Sequence, residues 1–489
     1  MIKLAFKIGI LLTSSLCISP AALANNTESI PSVSKLKNIQ TTDWEYRALQ
    51  SLVQRYDCTQ GWQQDNNRPI TRFEFAVGLN NCLQQIENIS SQSDLILWQR
   101  LRRDFAPELT RLTNRVEQIE TKVTQIESQQ FSPTTKFEGQ VLFFLTDSFG
   151  TDDNSETAFG YRTRLIFNTS FSGQDLLRVR LENRNSPRLD DVTDTSLSRL
   201  SVDGDTDGLT ELSELSYTFP AGENTEILFG TAGVSLNDVG EVLNPFSSSS
   251  SGAISRFGRR DPATLRAPGG AGIGIKQEFG DRILGFAGYF INNEDVANPQ
   301  TGRGISGSSS SAIAQLVIEP QEELALAATY TRTYERSDDV NLMGSTGVEE
   351  ANEPFGNNAT TSDNFGLQAN WEVTSGFEVG GWFGYTSAQQ QQNGNDSATI
   401  LNGALTLAFP DLLAEKNVGG IIIGVPPVVS SHDDGDLVTD KTPLHVEALY
   451  RIEVNDYIEI TPGAFAVFNP DTDDGNAIWV GTVRTEFSF

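Results

Sequence analysis

FGYRTRLIFNTSFSGQDLLRVRLEN, residues 159–183, repeats with a period of two. Phe159, Tyr161, Thr163, Leu165, Phe167, Thr169 and Phe171 take every second position, with Gly160, Arg162, Arg164, Ile166, Asn168 and Ser170 between them. After Ser172-Gly173-Gln174-Asp175 the alternation resumes, Leu177, Val179 and Leu181 against Arg178, Arg180 and Glu182. Period two is the mark of a strand, and the intervening tetrad holds turn residues, so the stretch reads as a hairpin. One face is apolar and the other carries four arginines, in a chain with only 35 Lys+Arg against 64 Asp+Glu.

The same rhythm runs from residue 137 to 489 in segments separated by alternately tight and long connections. The tight ones read SGQD, PAGENT, GDR, PQEE, TSG, PDLLAEKN and ND. The long ones, rich in Ser, Asp and Gly, cover about 146–158, 185–208, 233–270, 292–310, 335–362, 388–395, 426–442 and 469–476. That parity predicts about sixteen antiparallel strands closed into a transmembrane β-barrel, with short turns on the periplasmic side and long loops outside. The fold class is therefore mainly β. In such a barrel the apolar face of 159–183 meets lipid and the arginines face the lumen. The final segment AIWVGTVRTEFSF fits, with Trp479, Val483, Phe487 and Phe489 on one face and Arg484 and Glu486 on the other.

Composition narrows the alternatives. No apolar run near 18 residues exists to form a transmembrane helix. A net charge of -29 excludes nucleic acid as a partner, since that surface demands clustered Lys and Arg. Residues 1–24 read as a signal peptide, with Lys3 and Lys7, a short apolar core, and Ala22-Leu23-Ala24 as the cleavage site. Cys58 and Cys82 then remain as an even pair in an oxidising compartment, either a disulfide or two small buried thiols. With only His432, in a loop, and His445, on a strand, available as a base, and no pattern that sets a Ser or Asp against either as a nucleophile, an enzyme is not expected. No cofactor is expected either.

Upstream of the barrel, 41–90 reads as a small helical module. Asp43 caps a helix striped by Trp44, Ala48, Leu49 and Leu52; Thr71 and Glu74 form a capping box on a second. From 94 to 129, Leu109, Leu112, Val116, Ile119, Val123 and Ile126 make a heptad seam, with Trp98, Leu101 and Phe105 before it. This predicts a coiled-coil spacer, three-stranded by its choice of core residues, or else a lone helix packed on the barrel.

The paired segments of 41–90 resemble the S-layer homology module in Trp44-Glu45-Tyr46 and Thr71-Arg72-Phe73-Glu74. That resemblance implies binding of a peptidoglycan-linked cell-wall polymer, with Trp44, Thr71, Arg72 and Glu74 as contacts and the module in the periplasm. From about 41 to 489 the chain resembles cyanobacterial outer-membrane porins of the carbohydrate-selective (OprB) type. The resemblance is carried by TTDWEYRALQSLVQRY, ITRFEF, SGQDLLRVRL, SRFGRRDPATLR, GGWFGYTSA, NGALTLAFPDL and ITPGAFAVF. Some members carry the label iron-uptake porin. The resemblance implies a homotrimer in outer-membrane lipid that passes small solutes or ions by passive diffusion. A structural tether between membrane and wall, or a sugar-specific channel, are the alternatives.

Selectivity in such a pore comes from charges at its narrowest section. Candidates are Arg162, Arg164, Arg178 and Arg180, with Glu138, Glu182, Glu214, Glu447 and Glu486 as inward acids. The longest loop carries Arg256, Arg259, Arg260 and Arg266, and the resemblance implies that it folds inward. The arginines form either a functional ladder or simple pairs with strand carboxylates such as Glu182. His445 and Glu447 share an inward face, either as a solute or metal contact or as a lining hydrogen bond. Asp203, Asp205, Asp207 and Glu214 match the D-x-D-x-D-G-x5-E spacing of a calcium loop, the alternative being a solvated acidic loop.

Overall fold

The alternation of 159–183 becomes strands β2 (Ala158–Ser170) and β3 (Leu176–Ser186), paired from Tyr161 opposite Asn185 to Thr169 opposite Leu177. The computed structural model describes residues 38–56, 58, 69–85, 91–112, 115, 134–150, 155–392, 394–471 and 476–489. The signal peptide, the turn at 61–65 and the heptad positions from Val116 onward lie outside the described residues.

β1 (Thr134–Phe149) opens the barrel and the last long strand, Ile478–Ser488, closes on it, from Gln140 opposite Ser488 to Phe149 opposite Trp479. Among the described residues sixteen long strands follow one another, each antiparallel to its neighbour, and β1 pairs at once with the second and the last. Closure leaves no free edge, the condition for crossing lipid with strands. Outward residues are apolar and open: Phe143, Phe159, Phe365, Leu367, Phe383 and Trp479 are all more than a third exposed. The alternation of long loops and short turns is that expected from the sequence.

One boundary moved. The seventh long loop runs only from 433 to 443, because Gly424-Val425-Pro426-Pro427 continues the strand Val418–His432. That strand pairs with its next neighbour, Leu444–Asn455, only from Val418 to Gly424, so the two prolines lie where the ladder on that side has ended. Register breaks on the other side, at Thr399/Ile400 and Leu401/Gly403, absorb the same segment. Proline is tolerated in a sheet at such places and misleads a reading that takes it as a turn.

The opening turn is held by one carboxylate. Asp175 accepts from Phe171 N at 3.0 Å, Ser172 N at 2.7 Å, Ser172 Oγ at 2.6 Å and Ser170 Oγ at 2.9 Å, and from Tyr217 Oη at 2.7 Å. These donors, Ser172 Oγ first, hold its carboxyl well below the ordinary 3.8. A depressed acid stabilises fully above its unfolded value and loses that contribution as pH falls through the folded one. Asp175→Asn is therefore expected to lower the unfolding midpoint of the barrel in detergent at neutral pH, with the gap to wild type closing as pH drops below 3.8. A constant gap down to strong acid would count against this.

Residues before 131 form a separate compact unit. Helices α1 (Trp44–Tyr56), α2 (Arg72–Gln85) and α3 (Gln92–Asp104) enclose Leu49, Leu52, Phe75, Leu79, Leu101 and Phe105, and Cys58 is bonded to Cys82. Trp98, Leu101, Phe105 and Leu109 thus serve the core of this unit, where the sequence suggested the start of a coiled coil. The module accordingly extends past 90 to include α3. A three-helix core buries what a two-helix one would leave wet.

Candidate functional site

The third long loop, 235–269, occupies the barrel interior, held by inward side chains of the strands and by neighbouring loops. On one side Glu447 accepts from Ser255 Oγ at 2.5 Å, from Ser255 N at 3.3 Å and from Ile254 N. On another, Arg484 donates to the carbonyls of Ala253 at 3.1 Å, Ser249 at 3.4 Å and Gly252, and to Ser201 Oγ at 3.0 Å. Thr331 Oγ1 donates to the carbonyl of Thr264 at 3.0 Å, and Gln315 Nε2 to that of Glu241 at 3.0 Å. Asp261 begins a single helical turn, accepting from Ala263 N at 3.1 Å and Thr264 Oγ1 at 2.6 Å, with Pro262 in the first position. Its carboxylate fits against the wall because Gly366 and Gly384 face each other there; a Cβ on either would lie 2.5 or 2.4 Å from an Asp261 oxygen.

The loop divides the lumen into unlike halves. Against the later strands it seals an apolar cluster, Phe246 and Ile254 packing with Ile400, Ile422, Phe465 and Val480. Residues Leu197 and Leu200 of loop 187–210, with Leu342 and Met343 of loop 336–359, complete that cluster. The expectation of an aqueous interior therefore holds for only part of the circumference. The polar part is the wall made by β1, β2 and β3.

On that wall the register sets Gln140, Arg164 and Glu182 in one row, and Leu142, Arg162 and Arg184 in the next. Parity thus points all four expected arginines inward, but their environments differ. Arg162 is only 2% exposed and clamps the loop, donating to Ser249 Oγ at 2.9 Å and Gln140 Oε1 at 3.2 Å. Arg164 lies 2.5 Å from Glu182, which Arg184 also approaches at 3.4 Å. Arg180 and Arg178 reach Glu214 at 3.0 and 3.9 Å, and Arg178 is the most open of the set, its side chain 41% exposed. In the loop, Arg256 donates to the Gly344 carbonyl at 2.9 Å, Arg259 to that of Ser247 at 2.9 Å, Arg260 to Asn237 and Arg266 to the Arg256 carbonyl.

Two sequence readings are corrected here. Asp203, Asp205, Asp207 and Glu214 do not converge on a cation position. Asp203 is taken by Arg199 and Arg256, Asp205 accepts from Asp207 N at 2.8 Å, and Glu214 stands on a strand with Arg180 and Ser216. No group of three metal-binding side chains exists among the described residues. The spacing was met, but a strand carries Glu214 away from the loop. Second, a serine does lie beside a histidine: Ser255 Oγ is 3.2 Å from His445 Nε2, which is 3.1 Å from Glu447 Oε2. Both His445 and Glu447 are fully buried and the serine hydroxyl serves Glu447, so the trio fastens the loop and offers a reactant no entry.

Sequence reading missed Arg199, Arg484 and Ser255. Arg484 carried a signal, being a cation on the inward face of the last strand, but its acceptors lie more than two hundred residues away.

In the N-terminal unit the four expected wall-binding residues are engaged locally. Thr71 and Glu74 form the reciprocal cap, at 2.8 Å from Thr71 N and 3.1 Å from Glu74 N. Arg72 pairs with Glu108 at 2.7 Å and covers the Phe105 ring, and Trp44 stacks under Arg100.

A closed sixteen-stranded barrel with a long loop pinned across a charged lumen defines a porin. This chain belongs to the family described as "Carbohydrate-selective porin, OprB family", whose model matches residues 92–489. It is 35% identical over 509 residues to the Synechocystis sp. protein sll0772, covering 96% of this chain and 92% of that one. To alr4550 of Nostoc sp. it is 32% identical over 505 residues, covering 95% and 86%. Among solved structures it is similar to Pseudomonas putida OprB, with TM-score 0.48, 13% identity and coverage of 75% and 96%. It is also similar to a loop-deleted OmpT of Vibrio cholerae, with TM-score 0.48, 12% identity and coverage of 73% and 99%. As a member of this family it is a barrel of the outer membrane, with no chemical step to perform.

Proposed function

We propose that this chain is a trimeric pore through which small solutes and inorganic ions, iron among them, diffuse passively past a charged constriction. The observation that carries the reading is the loop 235–269, held inside the barrel by Glu447 on one side and Arg484 on another, facing the arginine wall of β2 and β3. A loop fixed by buried charge-assisted hydrogen bonds keeps one geometry while solutes pass, which a selective passive pore requires. The N-terminal unit anchors the barrel to a peptidoglycan-linked polymer from the periplasm. Its three-helix core supports that role, because a separately folded unit withstands pulling without deforming the pore.

Purified protein in planar bilayers is expected to conduct in groups of three equal steps; a preparation that inserts without conducting would sink the pore reading. Removal of the whole helical unit, 38–112, is expected to leave those steps intact and to loosen the envelope, scored as vesicle shedding. The family description makes sugars the second candidate permeant. Saturating sugar that leaves ion current unchanged argues for general diffusion, and a saturable block argues for carbohydrate selectivity.

A further inference from the structure

The arginines of the neck outnumber the carboxylates that touch them in a regular way. Arg164 and Arg184 share Glu182, Arg180 and Arg178 share Glu214, and Arg199 and Arg256 share Asp203. Glu182 and Glu214 thus each neutralise half of a guanidinium pair, while Arg199 also reaches Asp190 at 3.6 Å. Four more, Arg162, Arg259, Arg260 and Arg266, have no described carboxylate within 4.0 Å and spend their donors on neutral hydroxyls, amides and carbonyls. Beside the cluster lies a cavity of about 420 Å³ where Arg178 meets four carboxylates, Asp175, Glu214, Glu226 and Asp238. Even with Asp175, Glu226 and Asp238 of the cavity, the Gln140 partner Glu486, and Asp190 beside Arg199 counted, ten arginines face eight carboxylates.

The whole chain is acidic, at -29, so its loops draw cations toward the mouth. The two effects differ in range. At physiological salt, exposed charges are screened beyond about 8 Å, whereas groups that line the path act on an ion at contact. The neck therefore decides the sign. Guanidinium pairs, Arg178/Arg180 along β3 and Arg164/Arg184 across β2 and β3, also offer planar forks, which match oxyanions better than they match spherical ions.

We propose that the neck is an oxyanion filter. It favours anions over cations and holds a small oxyanion, inorganic phosphate or sulfate, against the pairs Arg178/Arg180 and Arg164/Arg184. This rests on the pore reading above, gives the sign and class of its permeant, and leaves iron to pass as an anionic complex rather than as a free cation.

The test uses the full-length protein in a planar bilayer under a tenfold KCl gradient. The zero-current potential is expected to report chloride over potassium by roughly thirtyfold, since one uncompensated charge about 4 Å away in water favours the anion about fivefold and disfavours the cation by the same factor. Added phosphate or sulfate, at constant ionic strength, is expected to lower the chloride current saturably. The double variant R178E/R184E, at the two most open wall positions, is expected to abolish both effects while keeping the grouped steps that show a folded pore. Cation preference in the wild type, or a chloride current indifferent to both oxyanions, overturns the proposal. So does a double variant that conducts and selects as the wild type does. Absence of any conductance instead refutes the pore itself.

Discussion

Arg484→Met is expected to give channels of larger and noisier conductance than the wild type, from a barrel that still inserts. The guanidinium is 2% exposed and serves four acceptors, three of them carbonyls in the 249–253 segment of the inward loop. Methionine keeps the volume and removes every donor. Hydrogen bonds from a charged group to buried acceptors contribute about 1.5–3 kcal/mol each, and stranding the acceptors adds a desolvation cost. Water entering the lumen relieves part of that cost, so a net loss of about 3 kcal/mol in loop pinning is expected. This exceeds thermal energy several times over, enough to let the segment leave the wall. Glu447 still holds Ile254 and Ser255, so the loop swings about that point and does not leave the barrel. Single-channel recording reads the outcome directly, with outer-membrane abundance as the control for insertion. Arg484→Lys, which keeps charge but loses the fork, is expected to fall between. Wild-type conductance and noise in Arg484→Met would show that the loop is held by its apolar cluster alone.

Replacing Cys58 and Cys82 by serine is expected to destabilise the N-terminal unit by roughly 3 kcal/mol and leave the barrel unaffected. The bridge spans a sequence separation of 24, which sets that magnitude through the entropy of closing the loop in the unfolded chain. The unit is small, and cores of this size seldom hold without a staple. A unit of this size loses about 4–8 °C of melting temperature per kcal/mol, so a fall of more than about 10 °C is expected. Limited proteolysis of the full chain during heating is the measurement. Cleavage within 38–112 moves to lower temperature in the variant, and in the wild type with reductant, while 134–489 stays resistant. Barrel and module losing resistance together would show that the two compact units are one cooperative system.

The hairpin at 159–183 shows what was legible beforehand. Period two fixes which side chains share a face, and a membrane outside with water inside assigns the faces, so Phe159 outward and Arg162 inward follow without coordinates. The capping box at Thr71 and Glu74 is legible for the same reason, since it is complete within four residues. Leu101 and Phe105 were less so. A helix stripe says that a face is buried and leaves its partner open; here the partner is Phe75 of α2 rather than a second copy of the helix.

Strand number, loop parity and the inward set of arginines were thus determined by local repeats, because alternation and turn chemistry act over a few residues. Tertiary structure alone decided what each arginine does. Closing the sheet brings residue 484 beside residue 144, and laying 235–269 across the lumen sets Ser249 on Arg162 and Ile254 on Glu447. Those contacts join positions from 87 to 340 residues apart, and no periodicity along the chain specifies them. Equal parity gave four equal arginines; the fold made Arg162 a buried clamp and left Arg178 open to the lumen.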